Sequence, residues 1–339
     1  MGETPGIFAT AVGVNGRRCA IIDMDSTNPE GWSEDRRPII DSPSDMVVYE
    51  LHYRDFSAHP QSGYNYKGKY LALTEPKALY YLTALGVRAV QLMPSFDFAT
   101  IDEEHTDWSE YNWGYDPTSY NVLKGSFSSN PKDPYARMKE FKMLVTKLHE
   151  NNIRVNLDLV FNHTYKFDDS IFNRLVPNYY YLFNSDNSLS NGSMCGNDLD
   201  SSRKMMKKYI LDMIKRLVSI YHIDGVRLDL MGILTIDVVN QILKEGKKLN
   251  DSFILYGEGW NSFSSLKEQI RATLINADML PDVGFFNDKF RNTAVGSLNN
   301  YNTEGKGFLN GNEDLLYKMG KVLRGSIEDY GYFKSNSKI

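Results

Sequence analysis

From residue 46 onward, short apolar runs alternate with longer amphipathic runs, and this alternation limits the fold more than any other feature. The apolar runs that predict strands are 46–56, 87–94, 153–161, 224–231 and 252–260, with a weaker sixth run at 283–288. Helical patterns lie between them at 75–85, 133–151, 203–221 and 236–249. Nearly continuous apolar strands joined by helices are typical of a parallel sheet that is covered on both faces.

Two parallel architectures fit this order, a doubly wound sheet and a (β/α)8 barrel. A doubly wound dinucleotide-binding sheet would carry GxGxxG after its first strand, and residues 50–75 lack that motif. A barrel places functional side chains at the carboxyl ends of its strands. Polar residues do lie at or near strand ends, namely Asp55, Asn162, His163, Asp229 and Glu258. We therefore predict an α/β fold, a (β/α)8 TIM barrel that is incomplete, with about six of its eight strands present.

Residues 1–45 differ in pattern from the rest of the chain. They contain short mixed runs followed by STNPEGWSEDRRPIIDSPSD at 26–45, a polar stretch with prolines that is typical of a linker. We predict two units. Residues 1–45 are the C-terminal remnant of an N-terminal β domain, the tail of a β-sandwich, plus a linker, and residues 46–339 form the partial barrel.

Charge and composition exclude several kinds of partner. The net charge is −5, from 38 basic and 43 acidic residues, which gives no basic surface for nucleic acid. No apolar run approaches the roughly 18 residues that a membrane span requires. Cys19 and Cys195 are too few for a disulfide framework and lack metal-site spacing, so we predict free thiols and no metal site. With no visible signal peptide, the compartment stays open, the cytoplasm being slightly favoured over an extracellular or periplasmic location.

The segment DGVRLDLM at 224–231 carries the most informative charges. Arg227 and Asp229 share one face of the predicted strand, because strand side chains repeat every two residues. Charges there are costly unless they are paired or used. Glu258 ends the next strand, so Asp229 and Glu258 are expected to face one pocket. Paired carboxylates in different environments are what glycoside hydrolysis requires, and the alternative is a structural ion pair at the barrel mouth.

Four motifs resemble those of a known family. DLVFNHT (158–164), DGVRLDLMG (224–232) and LYGEGW (255–260) resemble the first three conserved regions of the alpha-amylase superfamily of glycoside hydrolases. YNWGYDP (111–117) resembles the signature of type I pullulanases within that superfamily, the enzymes that cut alpha-1,6 branch points. VYELHYRDFS followed by GKYLALTE also matches this subgroup, and the resemblance covers the chain from about residue 10 to about residue 300.

The resemblance implies hydrolysis of alpha-1,6-glucosidic linkages in branched alpha-glucans such as pullulan, amylopectin and glycogen. Asp229 would be the nucleophile of a retaining double displacement, and Glu258 would protonate the leaving oxygen and then activate water. Arg227 would orient and support Asp229. The sugar-binding residues implied are His163, Asp158, Tyr115, Asp116 and Trp260. Tyr115 would stack under the sugar that is cleaved, and Trp260 would be a platform on the other side.

Other expectations concern what the site lacks. Catalysis needs no cofactor, and a structural calcium ion is allowed by family analogy, although the sequence offers no ligand set for it. Trp113 is predicted to be buried support and not a stacking ring.

The family's fourth region, a His–Asp pair on the seventh strand, has no counterpart, since no histidine follows His222. We therefore expect a missing C-terminal segment or a second chain to complete the barrel.

Two alternative functions remain open at the level of sequence. One is a non-catalytic or vestigial piece that binds alpha-glucan through Tyr115, Trp260 and His163. The other is an enzyme of the isoamylase or glycogen-debranching type, over which YNWGYDP favours a pullulanase.

Overall fold

A computed structural model describes residues 4–105, 110–296 and 305–325. Its strands are β1 Val48–Leu51, β2 Ala89–Leu92, β3 Phe96–Phe98, β4 Pro117–Leu123, β5 Arg154–Leu159, β6 Gly225–Leu228, β7 Ile254–Gly257 and β8 Val283–Phe285. Its α-helices are α1 Tyr53–Ser57, α2 Pro76–Ala84, α3 Pro134–Glu150, α4 Ile171–Leu175, α5 Lys204–Ile220, α6 Ile236–Leu249, α7 Asp288–Val295 and α8 Leu316–Val322.

Six strands form one parallel sheet in the order β1-β2-β5-β6-β7-β8. This is the incomplete (β/α)8 barrel that the sequence predicts, since the six strands of this sheet are paired in their order along the chain and helices separate most of them. Every residue of β2, β5 and β6 is buried, whereas β1 and β8 are only partly covered. Within the described residues these two strands form the edges of the sheet.

Local sequence explains the helices that cover the sheet. Helix α5 buries a stripe with helical spacing, made of Met206, Tyr209, Ile210, Met213, Ile214, Leu217 and Val218. Helix α3 begins with a proline at its first position, and Asp133 accepts a hydrogen bond from the backbone N–H of Tyr135 at 2.9 Å. The side chain of Thr235 caps α6 in the same way. These helices bury their apolar faces against the strands, so the core lies between the sheet and its helices.

Two local predictions are wrong. The strand predicted over 46–56 ends at Leu51, and Tyr53–Ser57 is a helical turn, so Asp55 lies on α1 and not at a strand end. The turn buries the ring of Tyr53 completely, and its hydroxyl lies 2.7 Å from the Ser95 hydroxyl. The stretch after β2, where we predicted neither strand nor helix, contains the antiparallel pair β3 and β4. Its two strands are separated by a long loop, so their pairing has no local sequence signal.

The segment before β1 is attached to the barrel by a buried charged cluster. Within residues 4–46 the structure has 3-10 turns and an isolated bridge between Val12 and Cys19. Asp35 contacts His149 at the end of α3 and His222 just before β6, at 3.0 Å and 2.7 Å. The other ring nitrogen of His149 lies 2.9 Å from Asp224. The segment is therefore joined to the amino-terminal side of the sheet, while the proposed division at residue 45 stays a prediction.

Candidate active site

A cleft of about 690 Å³ opens at the carboxyl ends of the parallel strands. Its wall includes five of the residues singled out in the sequence: Tyr115, His163, Arg227, Asp229 and Glu258. Tyr115 precedes β4 and His163 follows β5. Arg227 lies near the end of β6, Asp229 follows β6 and Glu258 follows β7. The parallel topology therefore gathers the ends of β5, β6 and β7 at one edge of the sheet. The strand ends thus assemble a polar pocket from segments far apart in sequence.

Arg227 contacts three carboxylates at the strand ends, those of Asp158, Asp229 and Glu258. Asp158 and Arg227 are direct register partners on β5 and β6. The Nη1 atom of Arg227 lies 2.7 Å from Asp158 Oδ1 and 2.8 Å from Asp229 Oδ1, and Nη2 lies 2.7 Å from Glu258 Oε1. A planar guanidinium suits such a multidentate contact. The charges on this buried strand are therefore paired across the strand ends.

Burial and charge set the ionisation of this cluster. Burial opposes the positive charge of Arg227, but Asp158, Asp229 and Glu258 outweigh it and raise its pKa, so the guanidinium stays charged. Burial raises the pKa of Asp158 to about 7, against the pull of Arg227. The side chain of Asp158 is 0% exposed, whereas those of Asp229 and Glu258 are 13% and 22% exposed. The cluster thus has one buried carboxyl and two that reach the cleft.

Backbone and amide donors fix the two accessible carboxylates. Leu230 has a positive φ of 41°, and its N–H donates to Glu258 Oε2 at 3.1 Å. Asn162 Nδ2 donates to Asp229 Oδ2 at 2.7 Å. Each carboxylate therefore has one oxygen on Arg227 and the other on a neutral donor. This arrangement orients two carboxylates toward the same space, as an acid and nucleophile pair requires.

Tyr115 and His163 form the wall beside Asp158. The Tyr115 hydroxyl donates to Asp158 Oδ2 at 2.6 Å, and His163 Nε2 lies 2.9 Å from the backbone carbonyl of Tyr115. Burial, and next the charge of Asp158, raise the pKa of Tyr115, so its hydroxyl keeps its proton. The ring of Tyr115 is half-buried and lines the cleft. Its place is compatible with the stacking role that the resemblance implies, which stays a prediction.

Asp116 and Trp260 do not line this cleft. Asp116 Oδ2 accepts a hydrogen bond from the Thr100 hydroxyl at 3.1 Å, and burial raises the pKa of Asp116 to about 6. The backbone of Trp260 packs against Gly232, and its side chain is half-buried. The sugar-binding roles of both residues remain predictions.

The structure adds residues to the cleft that the sequence analysis had not assigned to it. Trp113 is 52% exposed and lines the cleft, so its prediction as buried support is wrong. Its indole N–H donates to Tyr111, whose hydroxyl donates to Asp55 at 2.6 Å. Asn162 is fully buried behind Asp229. Asn162 is one of the polar residues that the sequence places at strand ends, but no role was predicted for it. The contacts of Trp113 depend on α1, which the sequence pattern did not predict.

Other features of the described residues bear on partners. No group of three or more His, Cys, Asp or Glu side chains within residues 4–105, 110–296 and 305–325 is placed to hold a metal ion. A structural calcium ion therefore has no ligand set that we can name. No helix in the same ranges has the length and apolar character of a membrane span. Cys19 and Cys195 are both free, as predicted.

Comparisons with known proteins agree with this geometry. The catalytic-domain model of the alpha-amylase family matches residues 74–188. A pullulanase of Bacillus subtilis (strain 168) is 40% identical over 333 residues, which cover 96% of this chain and 45% of the relative. The chain therefore spans about half of the relative's length.

Solved structures give the same result. The pullulanase of Paenibacillus barengoltzii in complex with maltohexaose and alpha-cyclodextrin has a TM-score of 0.89 and 43% identity, over 92% of this chain and 50% of that one. The pullulanase of Anoxybacillus sp. LM18-11 in complex with maltotetraose has a TM-score of 0.90 and 38% identity, over 95% and 47% of the two chains. Together with the barrel and its paired carboxylates, these matches show that the chain belongs to the alpha-amylase family of glycoside hydrolases, in which it is similar to pullulanases.

Proposed function

We propose that this chain carries the catalytic carboxylates of a debranching enzyme that hydrolyses alpha-1,6-glucosidic linkages in branched alpha-glucans. The observation that carries the proposal is the contact of one guanidinium with three carboxylates, two of which reach the cleft. Pullulanases that are similar over more than nine-tenths of this chain have been solved with maltooligosaccharides bound. An isoamylase-type activity is not favoured, because these relatives are pullulanases.

In the first step, an oxygen of Asp229 forms a bond to the anomeric carbon of the sugar as the bond from that carbon to the bridging oxygen breaks. Glu258 gives its proton to the leaving oxygen. In the second step, Glu258 takes a proton from water, the water oxygen bonds to the anomeric carbon, and Asp229 is released. The configuration is retained because the carbon is inverted twice.

Arg227 would act in both steps. Its contact with Asp229 Oδ1 orients that carboxylate, and its contact with Glu258 Oε1 sets the distance between the two carboxylates. Retaining enzymes need a separation of about 5–5.5 Å between the two carboxyl groups. Two carboxylates that bind the two terminal nitrogens of one guanidinium can lie at such a separation, and Asp229 and Glu258 bind Arg227 in this way. Asp158 contacts the same Nη1 atom of Arg227 as Asp229 does, and the Tyr115 hydroxyl donates to Asp158.

A further part of the proposal is that additional polypeptide completes the barrel. The edge strands β1 and β8 each pair on one side only among the described residues, and β1 leaves Val48 and Glu50 exposed. Unpaired parallel edges expose N–H and C=O groups that pair readily with other strands. A following C-terminal segment or a second chain would supply the remaining strands between these edges.

The test is release of reducing ends from pullulan by the purified chain, with Asp229→Asn as the matched control. Release by the parent chain that is lost in the variant would support the assignment of Asp229. Equal release by both proteins would refute it. The alternative function, a non-catalytic glucan-binding piece, predicts that maltotetraose binds while neither protein releases reducing ends, even when the missing strands are supplied.

A further inference from the structure

A short loop at the cleft, which we call the rim loop, spans residues 190–198 and is held by buried hydrogen bonds. Asp198 is fully buried, and its carboxylate accepts a hydrogen bond from the Ser190 hydroxyl at 2.6 Å. The same carboxylate accepts from the backbone N–H groups of Gly192 at 2.7 Å and Ser193 at 2.9 Å. Satisfied buried polar groups make a structure rigid, so the rim loop has a defined shape.

The rim loop lies between the segments that follow β5 and β7. On one side, the Asn197 side chain accepts from the N–H of Thr164 at 3.0 Å and donates to its carbonyl at 2.7 Å, on the segment after β5. On the other side, a Cβ added at Gly192 would lie 2.0 Å from the carbonyl oxygen of Phe263, on the segment after β7. Cys195, within the rim loop, lines the cleft. The loop therefore forms part of the edge of the cleft, between two of the strand ends that supply its polar residues.

Met194 has an unusual conformation within this loop. It directly precedes Cys195, and its φ of 62° lies in the left-handed region that favours glycine. A residue with a Cβ is strained there. Met194 is also 89% exposed, so packing inside the protein does little to offset the strain. Strained residues that a rigid surrounding structure holds in place are concentrated at ligand-binding sites, which makes Met194 a candidate for contact with a ligand.

We propose that Met194 contacts the apolar face of a sugar where a bound glucan leaves the cleft, and that it thereby favours longer chains over shorter ones. The inference rests on the proposed function, because it takes the ligand to be an alpha-glucan. Sugar rings present C–H groups on their faces, and the unbranched thioether side chain of methionine adapts to irregular apolar surfaces. Only a glucan that extends beyond Asp229 and Glu258 to the edge of the cleft reaches this contact.

The test is titration calorimetry of the purified chain with maltotetraose and with maltose. Met194→Gly removes the side chain and the backbone strain together, so it should melt no lower than the parent chain. We expect it to bind maltotetraose at least about 5-fold more weakly, because part of one apolar side chain is no longer buried by the ligand. Its binding of maltose should stay within about 2-fold of the parent value, since maltose does not need the edge of the cleft.

Two further variants separate the side chain from the backbone. Met194→Leu keeps an apolar side chain of similar size and should bind maltotetraose within about 2-fold of the parent chain. Asn187→Gly is the matched control, because Asn187 has a φ of 64°, is exposed, and lies outside the residues that line the cleft. This variant makes the same backbone change and should bind both sugars as the parent chain does.

Equal binding of maltotetraose by the parent chain and by Met194→Gly would overturn this inference alone and leave the proposed function standing. A Met194→Gly variant that melts well below the parent chain would show that Met194 supports the loop, which also contradicts the proposal. An equal weakening for maltose and maltotetraose would refute the effect of chain length. A parent chain that binds neither sugar would count against the proposed function and, with it, against this inference.

Discussion

The cluster that joins the N-terminal segment to the barrel makes stability depend on pH through one residue. His149 lies between Asp224 and Asp35, with exposures of 1%, 0% and 2% for the three side chains. Burial opposes the charge on His149, but hydrogen bonds from the ring to Asp224 and Asp35 outweigh it and raise its pKa to about 9. The same contacts lower the pKa of Asp35, again against burial.

The sign and size of the effect follow from linkage. The pKa of His149 is raised in the folded state, so its contribution is fully present below the unfolded value of about 6.5 and is lost as the pH rises through about 9. The difference between these two values corresponds to about 3 kcal/mol of folding free energy. His149→Gln removes this contribution. The variant should therefore be destabilised by about 3 kcal/mol more at about pH 5.5 than at about pH 10.

Urea unfolding at these two pH values, for the parent chain and for His149→Gln, measures the effect. Groups that do not contact His149 titrate alike in both proteins and cancel in the difference. His59→Gln is the control, because His59 is exposed and its ring accepts a hydrogen bond from the nearby Gln61 N–H, so the variant should lose little at either pH. An equal loss of stability for His149→Gln at both pH values would refute the reasoning.

Two further predictions concern the strand ends. Arg227→Met should lower the free energy of unfolding by about 3–5 kcal/mol, because it leaves the fully buried Asp158 without its cation; urea unfolding that shows a loss below about 1 kcal/mol would contradict this. Gly257→Ala should cost about 1–3 kcal/mol, since the added Cβ would lie 2.6 Å from the Leu228 carbonyl. Gly13→Ala, where nothing lies within 4 Å, is its control, and equal melting temperatures for the two variants would show that the close approach is harmless.

The sequence predicts the sheet well where strands are buried on both faces. The runs at 87–94, 153–161 and 224–231 are confirmed as β2, β5 and β6, although each strand is shorter than its run. A strand that is buried on both faces has a continuous apolar sequence, and this sequence pattern predicts the strand. The turn at Tyr53–Ser57 continues the apolar pattern of β1, so no local signal marks where that strand ends.

The site was predictable to the extent that it follows strand ends. Asp229, Glu258, Arg227 and His163 come together because parallel topology brings carboxyl ends to one edge. The link between Asp35 and His149 was not predictable, because it joins residues 114 apart through a packing arrangement that leaves no sequence pattern. Polar contacts between residues far apart in sequence form only when the elements pack, and no repeat in the sequence relates the two partners.

The central claim is that Asp229 and Glu258 are the catalytic pair of a debranching hydrolase, and a chimaera tests it most directly. This chain would replace the matching region of the Bacillus subtilis pullulanase, of which it covers 45%. Release of reducing ends from pullulan would then be measured for the chimaera and for its Asp229→Asn variant. The account predicts release by the chimaera and a loss of at least about 1,000-fold in the variant. A folded chimaera that releases none, or a variant that retains the activity, would contradict it.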